Sequence, residues 1–154
     1  MPVNVGVISD THGLLRQDAI AALGGSDLIV HAGDVGRPEI LDALRAIAPV
    51  WAVRGNVDTE PWAASLPLVE VVTAERVQLY VLHRIDDLDL DPAAAGFAAV
   101  VYGHSHKPAV EVRKGVLYLN PGSAGPRRFQ LPVSLARLRV QGGTIEHEFV
   151  PLGE

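Results

Sequence analysis

The sequence predicts an α/β fold of four layers, an α/β/β/α sandwich in which two mixed β-sheets pack face to face and helices flank them. Three observations carry this expectation. Apolar β-branched runs alternate with helical periods as far as Arg54, turn-punctuated β runs fill the remainder, and the conspicuous polar residues fall just past strand ends.

The elements follow in order. Val3 to Ser9 (VNVGVIS) reads as a strand, and Leu15 to Leu23 as a helix. Asp27 to His31 is again strand-like. Arg37 to Ala48 has amphipathic spacing through Ile40, Leu41, Leu44 and Ile47, and Val50 to Arg54 is a third strand. Strand and helix alternating at this spacing indicate parallel pairing through crossovers. After a Pro-marked loop, Asp58 to Pro67, the pattern changes. Leu68 to Thr73 and Arg76 to His83 form a hairpin about Ala74 and Glu75, and a helical turn falls between Asp86 and Gly96. Ala98 to Tyr102 is a short buried strand. Ala109 to Arg113 and Val116 to Asn120 flank Lys114-Gly115, and Ser134 to Val140 and Thr144 to Val150 flank Gly142-Gly143, so the second half should be mostly antiparallel.

The 154 residues suit a single domain, 1–154, and no linker, repeat or low-complexity tract interrupts them. With 48% hydrophobic and 20% charged residues the composition is globular, and no apolar run approaches the roughly 18 residues that span a bilayer. The sequence shows no basic leader or cleavage site, which points to a cytoplasmic location and away from membranes. There are no cysteines, so any metal must be bound by imidazole, carboxylate or amide oxygen. The net charge of −5 gives no reason to expect nucleic acid as a tight-binding partner.

Asp10 and His12 follow the first strand, Asp34 the second, Asn56 and Asp58 the third, His83 the hairpin, and His104 and His106 the strand ending at Tyr102. Loops at the carboxyl ends of strands converge, so these dispersed residues can meet in space. Gly33, Gly55 and Gly103 each precede one of them, where a missing Cβ permits a sharp turn.

The segments SDTHG (Ser9 to Gly13), HAGDV (His31 to Val35), RGNVD (Arg54 to Asp58), Leu82-His83, YGHSHKP (Tyr102 to Pro108) and NPGSAGPRR (Asn120 to Arg128) resemble those of the calcineurin-like metallophosphoesterases, in particular their small phosphodiesterase branch. The resemblance implies a metal-dependent phosphodiesterase with two divalent ions, manganese first among manganese, iron, zinc and nickel. Asp10, His12, Asp34 and His106 would hold one ion, and Asp34, Asn56, His83 and His104 the other, with Asp34 bridging. A hydroxide activated by both ions would attack phosphorus in line, with no covalent enzyme intermediate. Asn56 would also touch a phosphate oxygen, and Arg127 or Arg128 would grip the phosphate of a small-molecule phosphoester.

Two departures stand out. The histidine that protonates the leaving group in many larger relatives is Val57 here, which favours good leaving groups; Asp58 would orient His12 or its neighbours as a hydrogen-bond acceptor. Relatives also tend to read His-Gly-His where this chain reads His83, Arg84, Ile85. Arg84 would repel or crowd the second ion, or grip substrate phosphate. Taken singly, an Asp or His at a strand end is as well explained by a cap or a turn; seven in family order are not. His31 reads as a buried supporting histidine, Trp51 as packing, Trp62 as a pocket rim, and Arg54 and Lys107 as solvated charges. A phosphomonoesterase of the same fold and a catalytically silent protein-binding scaffold are the competing functions, and an oligomer remains open.

Overall fold

The computed structural model describes residues 1–153 and contains ten strands in two five-stranded sheets. The first sheet is ordered β10-β9-β1-β2-β3, from Thr144–Pro151, Ser134–Gln141, Val3–Ile8, Leu28–His31 and Val50–Ala52. Its β1, β2 and β3 are parallel (Val5 opposite Leu28, Val30 opposite Trp51), whereas β9 joins β1 antiparallel, Val3 opposite Val140. The second sheet is ordered β4-β5-β6-β8-β7, from Val69–Ala74, Val77–Leu82, Ala99–Val101, Val116–Asn120 and Ala109–Arg113.

The second half is mostly antiparallel, as expected, with one exception. The β4–β5 and β7–β8 hairpins are antiparallel as read, but β6 lies parallel to both β5 and β8. Turn residues announce hairpins because the signal is local; a parallel ladder joins strands separated by a crossover and leaves no such mark. The first hairpin also turns one residue later than expected, at Glu75 and Arg76, because Ala74 still pairs with Val77. Glu75 carries the turn at φ 55°, and its carboxylate accepts from the N–H groups of Gly142 and Gly143, tying two hairpin tips together.

Facing side chains of the two sheets make the central core: Val5, Val7, Val30 and Leu138 against Leu79, Val81, Val101 and Leu119. Helices α1 (Gln17–Leu23) and α2 (Pro38–Arg45) cover the outer face of the first sheet, burying Ala19, Leu23, Ile40, Leu41 and Leu44 on Ile8 and Ile29. Pro38 opens α2 where its missing N–H costs nothing, and Arg45 sits in the last turn, where a cation suits the helix dipole. Helix α1 starts later than predicted: Arg16 is extended, and its guanidinium donates to Gly125 O at 3.0 Å and Gly153 O at 3.1 Å. The outer layer of the second sheet is thin. A 3₁₀ turn at Ile85–Asp87 and the one-turn α3 (Pro92–Ala95) lead Leu88, Ala93 and Phe97 onto Tyr80, Leu82, Val100 and Tyr118.

Candidate metal centre

Every parallel strand delivers polar residues to one rim of the sandwich. Asp10 and His12 leave β1, Asp34 leaves β2, Asn56 and Asp58 follow β3, His83 follows β5, and His104 and His106 follow β6. The loops are laced by backbone hydrogen bonds: Asp10 N to Gly33 O at 3.0 Å, His12 N to Asp34 O at 2.9 Å, and Gly103 N to His83 O at 2.9 Å. Two glycines are required by contact rather than by turn shape. A Cβ at Gly55 would overlap the Asp34 backbone nitrogen and Oδ1, and one at Gly103 would overlap Ser9 Oγ and lie 2.7 Å from Asp10 Oδ2. The loops can therefore approach this closely only without side chains there.

Five of the eight non-glycine residues at positive φ among the described residues are predicted ligands: Asp10 (56°), His12 (46°), Asp34 (58°), His104 (77°) and His106 (65°). Left-handed backbone is unfavourable for such residues, and its concentration at one rim marks a place where side-chain direction outweighs local comfort.

The side chains meet. Asp10 Oδ1 lies 3.8 Å from His12 Nε2, 3.8 Å from His83 Nε2 and 3.6 Å from His106 Nε2. Asp34 Oδ2 lies 3.5 Å from His12 Nε2 and 3.2 Å from His83 Nε2, between the two histidines, while Oδ1 accepts from Val57 N–H at 2.9 Å. His12 and His106 face each other, Nε2 to Nε2, at 3.2 Å. Within this group, Asp10, His12 and His106 form one cluster able to hold an ion, and Asp10, Asp34 and His83 form another. His104 is exposed, its ring 5.2 Å from that of His83, and the Asn56 side chain stands exposed beside them.

The electrostatics match an ion site. Burial alone would raise the Asp34 pKa, but the His83 imidazole beside it, the hydrogen bond from Val57 N–H and the nearby charge of His12 pull it down to about 2. Burial would lower His83, yet Asp34 and Asp10 raise it. His106 is lowered, chiefly by burial, with Arg128 and His12 adding to the effect. Of the atoms facing one another here, Asp10 Oδ1 and His83 Nε2 are buried without a hydrogen-bond partner, although buried polar atoms are nearly always paired. Lone pairs crowding together with too few protons between them are what a divalent cation satisfies, so these residues fit one.

Supporting residues set the ligands in place. Ser9 Oγ donates to Asp10 Oδ2 at 2.8 Å, leaving Oδ1 to face the histidines, and His104 N–H donates to the same Oδ2 at 3.1 Å. Ser123 Oγ donates to Asp10 O, and the Asn120 amide donates to Gly103 O and Ser105 Oγ. Asn120, Ser9 and Ser123 all stand in the motifs quoted above, but nothing local to them announces these contacts. His31 is buried as expected: its Nδ1 accepts from Gly33 N–H, so the proton sits on Nε2 and goes to Thr11 Oγ, which donates to Val35 O. Burial depresses its pKa to about 4.

Asp58 is a hydrogen-bond acceptor to the loops beside His12. Its buried carboxylate accepts from the N–H groups of Val35, Gly36 and Gly55, at 3.1, 3.0 and 2.9 Å, and its hydrogen bonds run to these loops rather than to the His12 ring. Arg127 and Arg128 are both exposed; Arg127 donates to Leu131 O, whereas the charge of Arg128 is felt at His106. Arg54, read as a solvated charge, is half-buried and lines an open cavity of about 850 Å³ together with Asn56, His83 and Arg84. Trp62 lines a smaller cavity beside His12 and Val57, and Trp51 packs on the central core as read.

The calcineurin-like phosphoesterase superfamily domain matches residues 3–143. The chain is 34% identical to the probable metallophosphoesterase MJ0623 of Methanocaldococcus jannaschii over 97% of its own length and 82% of that protein's. It is 29% identical to phosphodiesterase YfcE of Escherichia coli K12, over 84% of each chain. The crystal structure of Chaetomium thermophilum Vps29 shares the fold, with a TM-score of 0.79 at 21% identity and 97% of both chains covered.

Proposed function

The chain belongs to the calcineurin-like phosphoesterase superfamily, a phosphoester hydrolase family that binds divalent metal, and from that premise we propose that it is a phosphodiesterase working with two such ions, manganese first among them. The observation that carries the reading is the convergence of Asp10 and Asp34 between three imidazoles, with Asp10 Oδ1 and His83 Nε2 left unpartnered. Asp10, His12, Asp34 and His106 would hold the first ion, and Asp34, Asn56, His83 and His104 the second. When bound, such a pair supplies positive charge that acidifies water and neutralises phosphoryl oxygens.

The protein's own groups do the rest. Asp34 Oδ2 faces His12 and His83 together, which suits a shared ligand, and its low pKa keeps it ionised at any working pH. The exposed Asn56 amide offers a donor to a phosphate oxygen, and Arg128 places a cation at the His106 side. Val57 supplies no proton to a leaving group, which restricts turnover to esters of acidic alcohols or phenols. Likeness to YfcE supports a diester over a monoester. Among the described residues, no helix is long and apolar enough to cross a membrane. We place this single domain in the cytoplasm, acting on a small-molecule phosphoester.

Protein stripped with chelator and reloaded with Mn²⁺ should take up two equivalents by elemental analysis and hydrolyse bis(p-nitrophenyl) phosphate faster than p-nitrophenyl phosphate. Asp34→Ala and Asn56→Ala should lose that activity. A monoester preference would make the protein a phosphomonoesterase instead. Activity equal to that of the two variants would leave only the scaffold reading.

A further inference from the structure

The cavity beside Asn56 and His83 holds two arginines that the metal chemistry does not use. We propose that Arg84, together with Arg54, reads a second phosphate on one ester arm of the substrate, so that the enzyme selects phosphodiesters carrying a further anionic group. The proposal rests on the phosphodiesterase reading and specifies its substrate class.

The cavity, about 850 Å³, joins candidate ion ligands to both guanidinium groups and is large enough to take a whole small molecule. Arg84 Nε is buried and has no hydrogen-bond acceptor, although a buried N–H is costly to leave unpaired. Among the described residues the arginine ion pairs belong to Arg45, Arg76, Arg113 and Arg137, so neither Arg54 nor Arg84 has a carboxylate within 4.0 Å. Arg84 directly follows His83, so its guanidinium is tethered to a residue of the ion cluster.

The cavity's acids decide what kind of recognition this is. Asp58, Glu60, Asp87 and Asp89 also line it, so the wall as a whole is not cationic and no broad field draws anions in. Glu60 is occupied by the Trp62 indole N–H at 3.1 Å. Recognition must then be local, by the planar donor fork of a guanidinium on a phosphate. Leu68 and Val69, 64% and 39% exposed, add an apolar wall against which the body of the ester arm can lie.

Thymidine 5′-(p-nitrophenyl phosphate) with and without a 3′-phosphate forms a matched pair for the test. Mn²⁺-loaded wild type should show kcat/KM about tenfold or more higher with the 3′-phosphate, as one added charge-assisted pair predicts. Arg84→Gln should bring the ratio to about twofold or less, Arg84→Lys should fall between, and Arg45→Gln on α2 should keep the wild-type ratio. Calorimetry on chelator-treated protein gives a readout independent of turnover: thymidine 3′,5′-bisphosphate should bind tighter than the 5′-monophosphate in wild type and not in Arg84→Gln. A wild-type ratio near one, or a ratio unchanged in Arg84→Gln, overturns the proposal. If neither ester is hydrolysed, the phosphodiesterase reading fails, while the binding ratio still decides the arginines. Should Arg84→Gln melt below the assay temperature, Arg54→Gln carries the same comparison.

Discussion

Removing the Asp58 carboxylate separates positioning from chemistry. Asp58 accepts three backbone N–H groups: Val35 and Gly36 on the loop that carries Asp34, and Gly55 on the loop that carries Asn56. In Asp58→Ala the buried Val35 donor loses its partner outright, at about 2 kcal/mol, while the half-buried Gly36 and Gly55 donors recover water at about 1 kcal/mol each, giving about 4 kcal/mol in all. Asp58→Asn keeps one acceptor oxygen. Placed where Oδ2 now serves Val35 and Gly55, it retains two bonds and turns an NH₂ toward Gly36, for about half the loss. With an m-value of roughly 2 kcal/mol/M for a protein of this size, urea midpoints should fall by about 2 M for Ala and about 1 M for Asn. Metal affinity should weaken by about 10- to 100-fold as the two loops drift. If the Ala midpoint stays within about 0.3 M of wild type, the loop-tying account is wrong. If turnover vanishes while midpoint and metal affinity stay unchanged, Asp58 acts on substrate directly.

Two other outcomes follow from the same loops. His31 has a pKa of about 4 in the fold against 6.5 when free, so below pH 6.5 the unfolded chain takes a proton that the native state refuses. Stability should be unaffected by His31 above pH 6.5 and fall by roughly 3 kcal/mol as the pH drops toward 4. Urea melts of metal-free wild type and His31→Gln across that range should diverge by that amount, and parallel pH profiles would contradict the buried neutral tautomer. Gly55→Ala should drive its methyl into Asp34, costing about 2–4 kcal/mol and cutting bound metal below two equivalents. Differential scanning calorimetry with elemental analysis checks both, and a variant melting with wild type would mean that the Asp34 loop yields freely.

The candidate ligands are legible because each comes from one short motif at a strand end, where local sequence fixes both the turn and the side chain that leaves it. Asp10, His12, Asp34, His83 and His106 accordingly converge as their positions implied. What sequence withheld was everything set by contacts between distant segments. The β5-β6-β8 parallel ladder joins strands across long crossovers. The placing of Arg54 beside Arg84 depends on how the loop after β3 faces the loop after β5, and nothing local to Arg54 distinguishes it from a solvated charge. Asn120 likewise matters through Gly103 and Ser105, whose proximity only the folded second sheet creates.

The pairing of β1 with β9 has a consequence for how the protein is made. Val3 lies against Val140, so β1 waits until β9, far along the sequence, has been made before its second neighbour exists. Closing so long a loop is slow, and an unpaired apolar edge is sticky while it waits. Asp10 and His12 hang from that strand, and Ser123, which holds the Asp10 carbonyl, arrives almost as late. An ion held by Asp10 and His12 would therefore find its site complete only after β9 and the Ser123 loop have folded onto β1.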